Sequence, residues 1–553
     1  MMKHGMIAAL SLVLAACGAS NTPPIASDTA PITPIIHTVY SGGTIYTGIG
    51  DQTVEAVVVD PSGRIIAVTA PAAQTESENQ VRVIDLDDAV MFPGFVDGHA
   101  HLLGIGEREL TLDLTGTASI GELVTRVESE LEGFEPGRIL FGNGWIETGW
   151  PEGRMPSAAD LDAVSPDHPV ILGRADGHAL VANSAALALA KITDETGDPS
   201  GGMIERGPDG KATGILIDMA MAPMFALLAA PSEADVVKTY TVGAAEYASR
   251  GWTGVHNMSV DPAHAPLLET LDREGKMPLR LHNAFDEAGF EIAAKRQYET
   301  DTITNRAVKI YMDGALGSRG ARLIEPYSDR PETSGLSLMD ADELSRVMAR
   351  ASAEDVQLAI HAIGDLANRQ ILDGMKADGY GADLRWRIEH TQILHADDIA
   401  RVGALGLIAS MQPSHAIGDL KFAPDRLGVE RLAGAYAWRD QLDTGAIVVG
   451  GSDAPVEVGS PLIEFYAAVA RKDLEGYTGE GWHPEQALSR EQALALFTSA
   501  PAYAAFMEGD LGTIEIGKIA DFTVFDRDLM TVPEAEILNA QVVMTVVQGD
   551  VIR

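Results

Sequence analysis

From residue 93 to 507 the chain alternates short apolar runs with amphipathic stretches. Phe95–Leu102, Gly254–Ser259, Leu279–Ala284, Ala307–Asp313, Val356–Ile363, Trp386–Thr391, Gly406–Pro413 and Ala446–Ser452 read as strands. Between them a helical period recurs, for example at Glu233–Ser249, Ala341–Ala353 and Leu366–Lys376. Eight strands separated by helices predict an α/β fold, a (β/α)8 TIM barrel over 93–507. The first connection breaks the rhythm. Thr111 to Pro231 far exceeds an ordinary strand-to-helix loop. Residues 111–231 therefore read as a large insertion after barrel strand 1, with strands Arg138–Asn143 and Val170–Arg174 and a helical run Ser184–Ala190. Its position in the chain places it over the barrel mouth.

The two ends of the chain differ from the middle. Thr44–Thr47, Ala56–Asp60, Arg64–Thr69 and Val81–Leu86 near the start are short alternating runs punctuated by turns such as Pro61-Ser62-Gly63. Gly512–Ile516, Phe522–Phe525, Val542–Gln548 and Val551-Ile552 have the same character. Neither piece buries much core alone, so 37–92 and 508–553 are expected to pair as one small β-sandwich.

Ahead of them, Lys3 and His4 precede an apolar run from Met6 to Ala16 that ends Leu14-Ala15-Ala16-Cys17. That run is too short to span a bilayer, which takes about 17–25 residues, but it suits the core of an export signal. The ending resembles a bacterial lipobox, so 1–17 is expected to be a lipoprotein signal peptide and Cys17 the lipidated residue. Gly18 rather than Asp at the next position resembles lipoproteins sorted to the outer membrane. Residues 18–36, rich in Pro, Ser, Thr and Ala, read as a flexible tether. The localisation expected is export, with a lipid anchor at the bacterial cell envelope, at the outer membrane facing the periplasm.

Composition narrows the function. Of 553 residues, 46% are hydrophobic and 22% charged, an ordinary globular balance. Asp and Glu number 80 against 40 Lys and Arg, a net charge of −40 that repels phosphate backbones and excludes nucleic acid as a partner. The single Cys rules out a disulfide framework and a Cys-based metal site. The partners expected are a small-molecule substrate and a membrane met only through the lipid; self-association into a homo-oligomer stays open.

Of the 14 histidines, seven fall on predicted barrel strands or their C-terminal ends: His99, His101, His256, His282, His361, His390 and His415. Catalytic groups of a TIM barrel gather at that end. His99 and His101, two apart on a strand, share a face and can bind one metal ion. On Val308–Asp313 alternation sends Lys309, Tyr311 and Asp313 into the barrel. A buried ammonium is costly and repels a metal. Either CO2 converts Lys309 to a carbamate able to bridge two cations, or Lys309 forms a buried ion pair with Asp313. The strand ends His361–Asp365, Glu389-His390-Thr391 and Ser452-Asp453 add two His and an Asp to the same mouth.

The ordered set Pro93-Gly94-Phe95-Val96-Asp97-Gly98-His99-Ala100-His101, Lys309, His361, His390 and Asp453 resembles the amidohydrolase superfamily. Trp145–Pro151, Leu161–Pro166, Arg174–His178, Asp313–Arg319 and Gln412–His415 are similar to its family 3 branch, which includes N-substituted formamide deformylase. Gly512–Phe522 is similar to the superfamily's usual C-terminal sandwich strands. The resemblance covers roughly residue 38 to the end. It implies that His99 and His101 bind the more buried metal with Asp453, and that carboxylated Lys309 bridges to a second metal held by His361 and His390. The residues alone do not count the metals; without carboxylation a single ion is expected.

Mechanism follows from this set. A divalent metal, Zn2+ being the ion expected and one or two per chain, lowers the pKa of bound water from 15.7 toward about 7. The metal-bound hydroxide attacks a carbonyl, and Asp453 moves the proton to the leaving nitrogen as general base and acid. His178, Arg319 and His415 are candidates for substrate contact, with Trp145 and Trp150 as an apolar wall. Each also has a structural reading: His178 as a cap of Ser184–Ala190 or a partner of Asp176, Arg319 as a partner of Asp313, the Trp pair as core. The function expected is hydrolysis of a C–N bond in an amide, an N-substituted formamide or a cyclic amide. A dipeptidase or an ester or lactone hydrolase on the same site is the alternative, and a non-catalytic binding lipoprotein the second. A glycosidase needs two facing carboxylates and a serine hydrolase a Gly-x-Ser-x-Gly elbow; the His-rich strand ends argue against the first, and no such elbow occurs.

Overall fold

The computed structural model describes residues 36–69, 81–134, 137–228, 231–479 and 482–553. Cys17 and all of the expected tether but Ile36 lie outside them.

Eight parallel strands make the central sheet: strand 1 (Phe95–Ala100), strand 2 (Trp252–Val260), strand 3 (Arg280–Phe285), strand 4 (Ile303–Tyr311), strand 5 (Gln357–Ala362), strand 6 (Arg387–His390), strand 7 (Ile408–Met411) and strand 8 (Ile447–Gly450). Each pairs in parallel with the next. Strands 8 and 1 meet at their C-terminal ends, where Asp453 N–H donates to the His99 carbonyl at 2.6 Å and His101 N–H to that of Ala454 at 2.8 Å. The sheet is thus nearly closed, the TIM barrel expected from the alternating pattern. Val308, Ile310 and Met312 face the helices as buried core while Lys309 turns to the axis. The connecting helices start where the sequence places them. Glu233–Ser249 opens with a capping box, in which Ser232 Oγ accepts from Asp235 N–H at 3.2 Å and the Asp235 carboxylate from Ser232 N–H at 3.0 Å.

Both ends of the chain build one further sheet, in the order Asp550–Val551, Val542–Val547, Phe522–Phe525, Val90–Pro93, His37–Tyr46, Thr53–Val59, Ile65–Thr69, with Val81–Asp85 also paired to His37–Tyr46. Val90–Pro93, not marked as a strand by the sequence pattern, runs into barrel strand 1 through Gly94 alone. Phe92, Phe95, Trp252, Phe497 and Phe525 pack ring to ring beneath the barrel, with centroids 5.6–6.5 Å apart. The buried Arg280 guanidinium reaches from strand 3 to the Asp521 carboxylate at 2.5 Å. One expected strand is corrected: Gly512–Ile516 is a loop. Gly512 has a φ of 89°, and Ile514 N–H donates singly to the Thr47 carbonyl instead of joining a ladder.

The insertion carries a third sheet, in the order Gly202–Arg206, Ala212–Asp218, Ala179–Ala182, Val170–Arg174, Leu140–Trp145, Leu112–Asp113. It has its own apolar core, which includes Leu123, Leu161, Val170, Ile215 and both Trp145 and Trp150. Among the described residues no helix is long and apolar enough to cross a membrane.

Candidate metal centre

The C-terminal ends of the barrel strands bring seven of the candidate side chains together. Asp453 lies at the centre: its Oδ1 is 3.3 Å from His99 Nε2 and 3.2 Å from His101 Nε2, and its Oδ2 is 3.6 Å from His415 Nε2 and 4.0 Å from His390 Nδ1. Ligand atoms of His99, His390 and Asp453 all lie within 4.8 Å of one another, and the three residues are buried. The rings of His361 and His390 are 4.5 Å apart, and Lys309 Nζ is 3.2 Å from His99 Nε2.

Backbone geometry aims these groups. Strict alternation would send Glu389 and His390 to opposite faces of strand 6. His390 instead adopts a φ of 73°, Thr391 42° and Asp453 60°, and these left-handed turns at the strand ends swing the side chains onto the axis. The Asp97 carboxylate pins strand 8 to strand 1, accepting from Ser452 N–H at 2.9 Å, Ser452 Oγ–H at 2.6 Å and Tyr247 O–H at 3.1 Å.

The site is arranged to hold Asp453 ionised and to disfavour the charged forms of His361 and His390. Burial pushes the Asp453 carboxyl up, but His99 and His101, with His390 beyond, outweigh burial and hold it well below the usual carboxylate range. Burial and neighbouring cationic groups push His361 and His390 well below the usual imidazole value. Burial pushes the Lys309 ammonium down to about 8, against the pull of Glu389 and Asp453.

The donor set fits a divalent metal. Two ligands about 2.0–2.1 Å from one tetrahedral ion lie a little over 3 Å apart, close to the Asp453–His99 and Asp453–His101 separations of 3.3 and 3.2 Å. His361 Nε2 and His415 Nε2 are buried without a hydrogen-bond partner. Such an orphan costs about 1–3 kcal/mol, which a cation or a polar ligand relieves.

Lys309 and Asp313 do not pair. Asp313 spends its carboxylate on the N–H groups of Arg322, Ile363 and Gly364 at 2.7–3.0 Å, and burial raises it to about 7. The substrate-contact candidates separate. His415 follows strand 7 on the helix Pro413–Asp419 and faces Asp453. His178 comes from the insertion, its ring 5.5 Å from that of His361, and is held by Asp218 Oδ1 at 2.6 Å from Nδ1, where Asp176 or a helix cap was expected. Arg319 turns to Asp329 at 2.7 Å, not to Asp313. Trp145 is fully buried and donates from its indole to the Leu172 carbonyl at 2.8 Å, so the ring belongs to the insertion core.

Sequence reasoning missed Glu389, Arg387, Asp218 and the Asp97–Ser452–Tyr247 cluster. A signal existed for the first two: an acid and a base two apart on a barrel strand share a face, and neither is stable there unpaired.

Comparison with known proteins agrees with this geometry. The family model described as "Amidohydrolase family" matches residues 82–553. The chain is 32% identical to YtcJ of Bacillus subtilis over 526 residues, 93% of this chain and 99% of that protein. It is 30% identical to the N-substituted formamide deformylase of Arthrobacter pascens, over 90% of this chain and 94% of that enzyme. The crystal structure of a metal-dependent hydrolase from Pyrococcus horikoshii superposes with a TM-score of 0.74 at 29% identity, covering 90% of this chain and 99% of that one. Barrel, buried donor set and relatives lead to one conclusion: the chain belongs to the amidohydrolase family and is a metal-dependent hydrolase.

Proposed function

We propose that the chain hydrolyses a C–N bond in a small amide, an N-substituted formamide or a cyclic amide. The observation that carries this reading is Asp453, an ionised carboxylate 3.2–3.6 Å from the Nε2 atoms of His99, His101 and His415 at the barrel mouth. The formamide deformylase at 30% identity supports the choice of substrate class.

His99, His101, His361, His390 and Asp453 would hold one or two divalent ions, with Zn2+ favoured by the nitrogen-rich set. Lys309, as a carbamate, would add an anionic oxygen ligand to that set. Its lack of a carboxylate partner supports this, since Asp313 is committed to backbone N–H groups. A bound ion supplies Lewis acidity, polarising a carbonyl and lowering the pKa of water to about 7. Asp453 does the proton work: Oδ2 accepts a proton from the attacking water and returns it to the departing nitrogen. His178, beside His361, and His415, beside Asp453, are the substrate-contact residues. Ahead of the catalytic fold, acylated Cys17 tethers the enzyme to the outer membrane on its periplasmic side, and Cys17→Ser is expected to release it to the soluble fraction.

The test is metal content per purified chain together with turnover of a panel of N-substituted formamides, amides, dipeptides and esters. About two equivalents of Zn2+, reduced in His99→Ala, with turnover confined to formamides and amides, is the expected result. Asp453→Asn is expected to keep the fold and metal and lose about 10²–10⁴ in kcat. A chain that takes up no metal even with bicarbonate supplied would be a binding protein on the same fold. Turnover confined to dipeptides or esters would move the substrate class.

A further inference from the structure

Behind His99, on the side away from Asp453, lies a buried ionic pair that the proposed mechanism leaves unused. Arg387 and Glu389 sit two apart on strand 6 and both point to the barrel axis, fully buried. The guanidinium donates from Nε to Glu389 Oε1 at 2.7 Å and from Nη2 to Oε2 at 3.0 Å. Nη1 donates to His256 Nδ1 at 2.6 Å, and the second N–H of Nη2 is shared between the Gly98 carbonyl at 2.7 Å and Ser410 Oγ at 2.8 Å. Glu389 Oε2 makes one further contact, to His99 Nδ1 at 2.5 Å.

The geometry points to Glu389 as the positioning residue that fixes the tautomer and the ring plane of His99 for metal binding, with Arg387 as its anchor. A carboxylate beside a guanidinium has only acceptor sites, so the proton of this contact sits on His99 Nδ1. The Nε2 lone pair then faces the opposite way, toward Lys309 Nζ at 3.2 Å and Asp453 Oδ1 at 3.3 Å. An imidazole that donates to a carboxylate is the stronger base at its other nitrogen and cannot swing away.

The neighbouring ring shows what the carboxylate adds. His390 Nδ1 meets the Oε1 of Gln412 at 2.9 Å, a neutral amide. Asp313 Oδ1 lies 3.5 Å from His361 Nε2 without a hydrogen bond; of the proposed metal ligands among the described residues, His99 is the one hydrogen-bonded to a carboxylate outside the ligand set. Such a group is expensive to bury and is stable here because Arg387 spans it with two hydrogen bonds. The neutral design was available one strand away, so the charge has a use at His99.

This inference rests on the metal-site reading, and its test separates the two. In the full chain, Glu389→Gln keeps size and an acceptor but removes the charge. Because that change strands the Arg387 guanidinium, the double variant Arg387→Met, Glu389→Gln removes both charges together. Zn2+ affinity is measured by competition with a chelating dye, and folding by thermal melting in chelator. Both variants are expected to bind Zn2+ about 10–100-fold more weakly than the parent. Parental affinity in either folded variant would overturn the proposal; recovery in the double variant alone would trace the loss to the stranded Arg387. The second readout needs no metal: 15N resonances of the His99 ring in metal-free protein. A proton fixed on Nδ1 in the parent and shared between both nitrogens in the double variant is expected. The same tautomer in both chains would overturn the inference even if Zn2+ binding by the parent stood, whereas a parent that binds no Zn2+ would overturn the metal reading and leave the tautomer to decide the role of Glu389.

Discussion

Two sets of histidines share the barrel, and they differ in what their nitrogens meet. At the floor, His282 accepts from Thr304 Oγ–H at Nδ1, 2.8 Å away, and donates from Nε2 to Gln357 Oε1 at 2.9 Å. His256, its neighbour in register on strand 2, accepts from Arg387 at Nδ1. At the mouth, His361 and His415 keep a buried Nε2 without a partner, and His99 and His101 turn theirs to a carboxylate. All six are buried or half-buried imidazoles on barrel strands or just beyond them. The floor histidines are held by hydrogen bonds to neighbouring side chains, whereas at the mouth an Nε2 either faces Asp453 or has no hydrogen-bond partner. Position along the strand sets the difference, because backbone and neighbouring side chains surround the floor while strand ends open to the mouth.

The comparison breaks most visibly if one member of each set is exchanged. His361→Ala is expected to lose metal and reduce turnover by about 10²-fold or more while the melting temperature in chelator holds. His282→Gln should do the reverse, keeping metal stoichiometry and losing stability. A metal-depleted His282→Gln would erase the distinction.

Acid gives the next largest effect. Burial lowers His282 from 6.5 to about 4 in the folded chain. The unfolded chain therefore binds more protons between those values, and stability rises with pH across that window. The contribution is fully present above pH 6.5 and is lost as pH falls toward 4, by about 3 kcal/mol. Urea unfolding at pH 7 and 4.5 measures it, and the slope is expected to flatten in His282→Gln. Smaller changes sharpen the same point. Gln357→Leu strands the His282 Nε2–H and should cost about 2 kcal/mol without touching metal content. Thr304→Val removes one donor and should cost about 1 kcal/mol, read as a shift in the urea midpoint.

Much of the barrel was legible because its signal is local. Eight apolar runs at strand length announce eight strands, and alternation alone turns Lys309 inward. The His99–His101 pair declares itself within three residues. The connections that give those residues their roles are not local. Glu389 reaches His99 across 290 positions of chain, and Asp218 reaches His178 across 40. No periodicity links such partners; only closure of the barrel and docking of the insertion do. Trp145 shows the reverse: of its two readings, wall of the mouth or core, packing settles on core, since the ring is drawn into the insertion's own interior, where its indole finds a carbonyl. Gly512–Ile516 has the composition of a strand and lacks a free ladder to join.

The sheet made from both chain ends carries a consequence for synthesis. Every proposed metal ligand lies before Pro455, yet Val90–Pro93, which leads directly into the strand bearing His99, pairs with Phe522–Phe525. Phe95 N–H is bound by Thr523 Oγ1, 428 positions away. Until the ribosome has delivered that last segment, an apolar edge stays open beside the strand that starts the barrel. A message cut short after codon 510 would encode the whole reaction centre and still yield a sticky, unfinished chain. Residues 511–553 do no chemistry, and they decide whether the rest is ever allowed to.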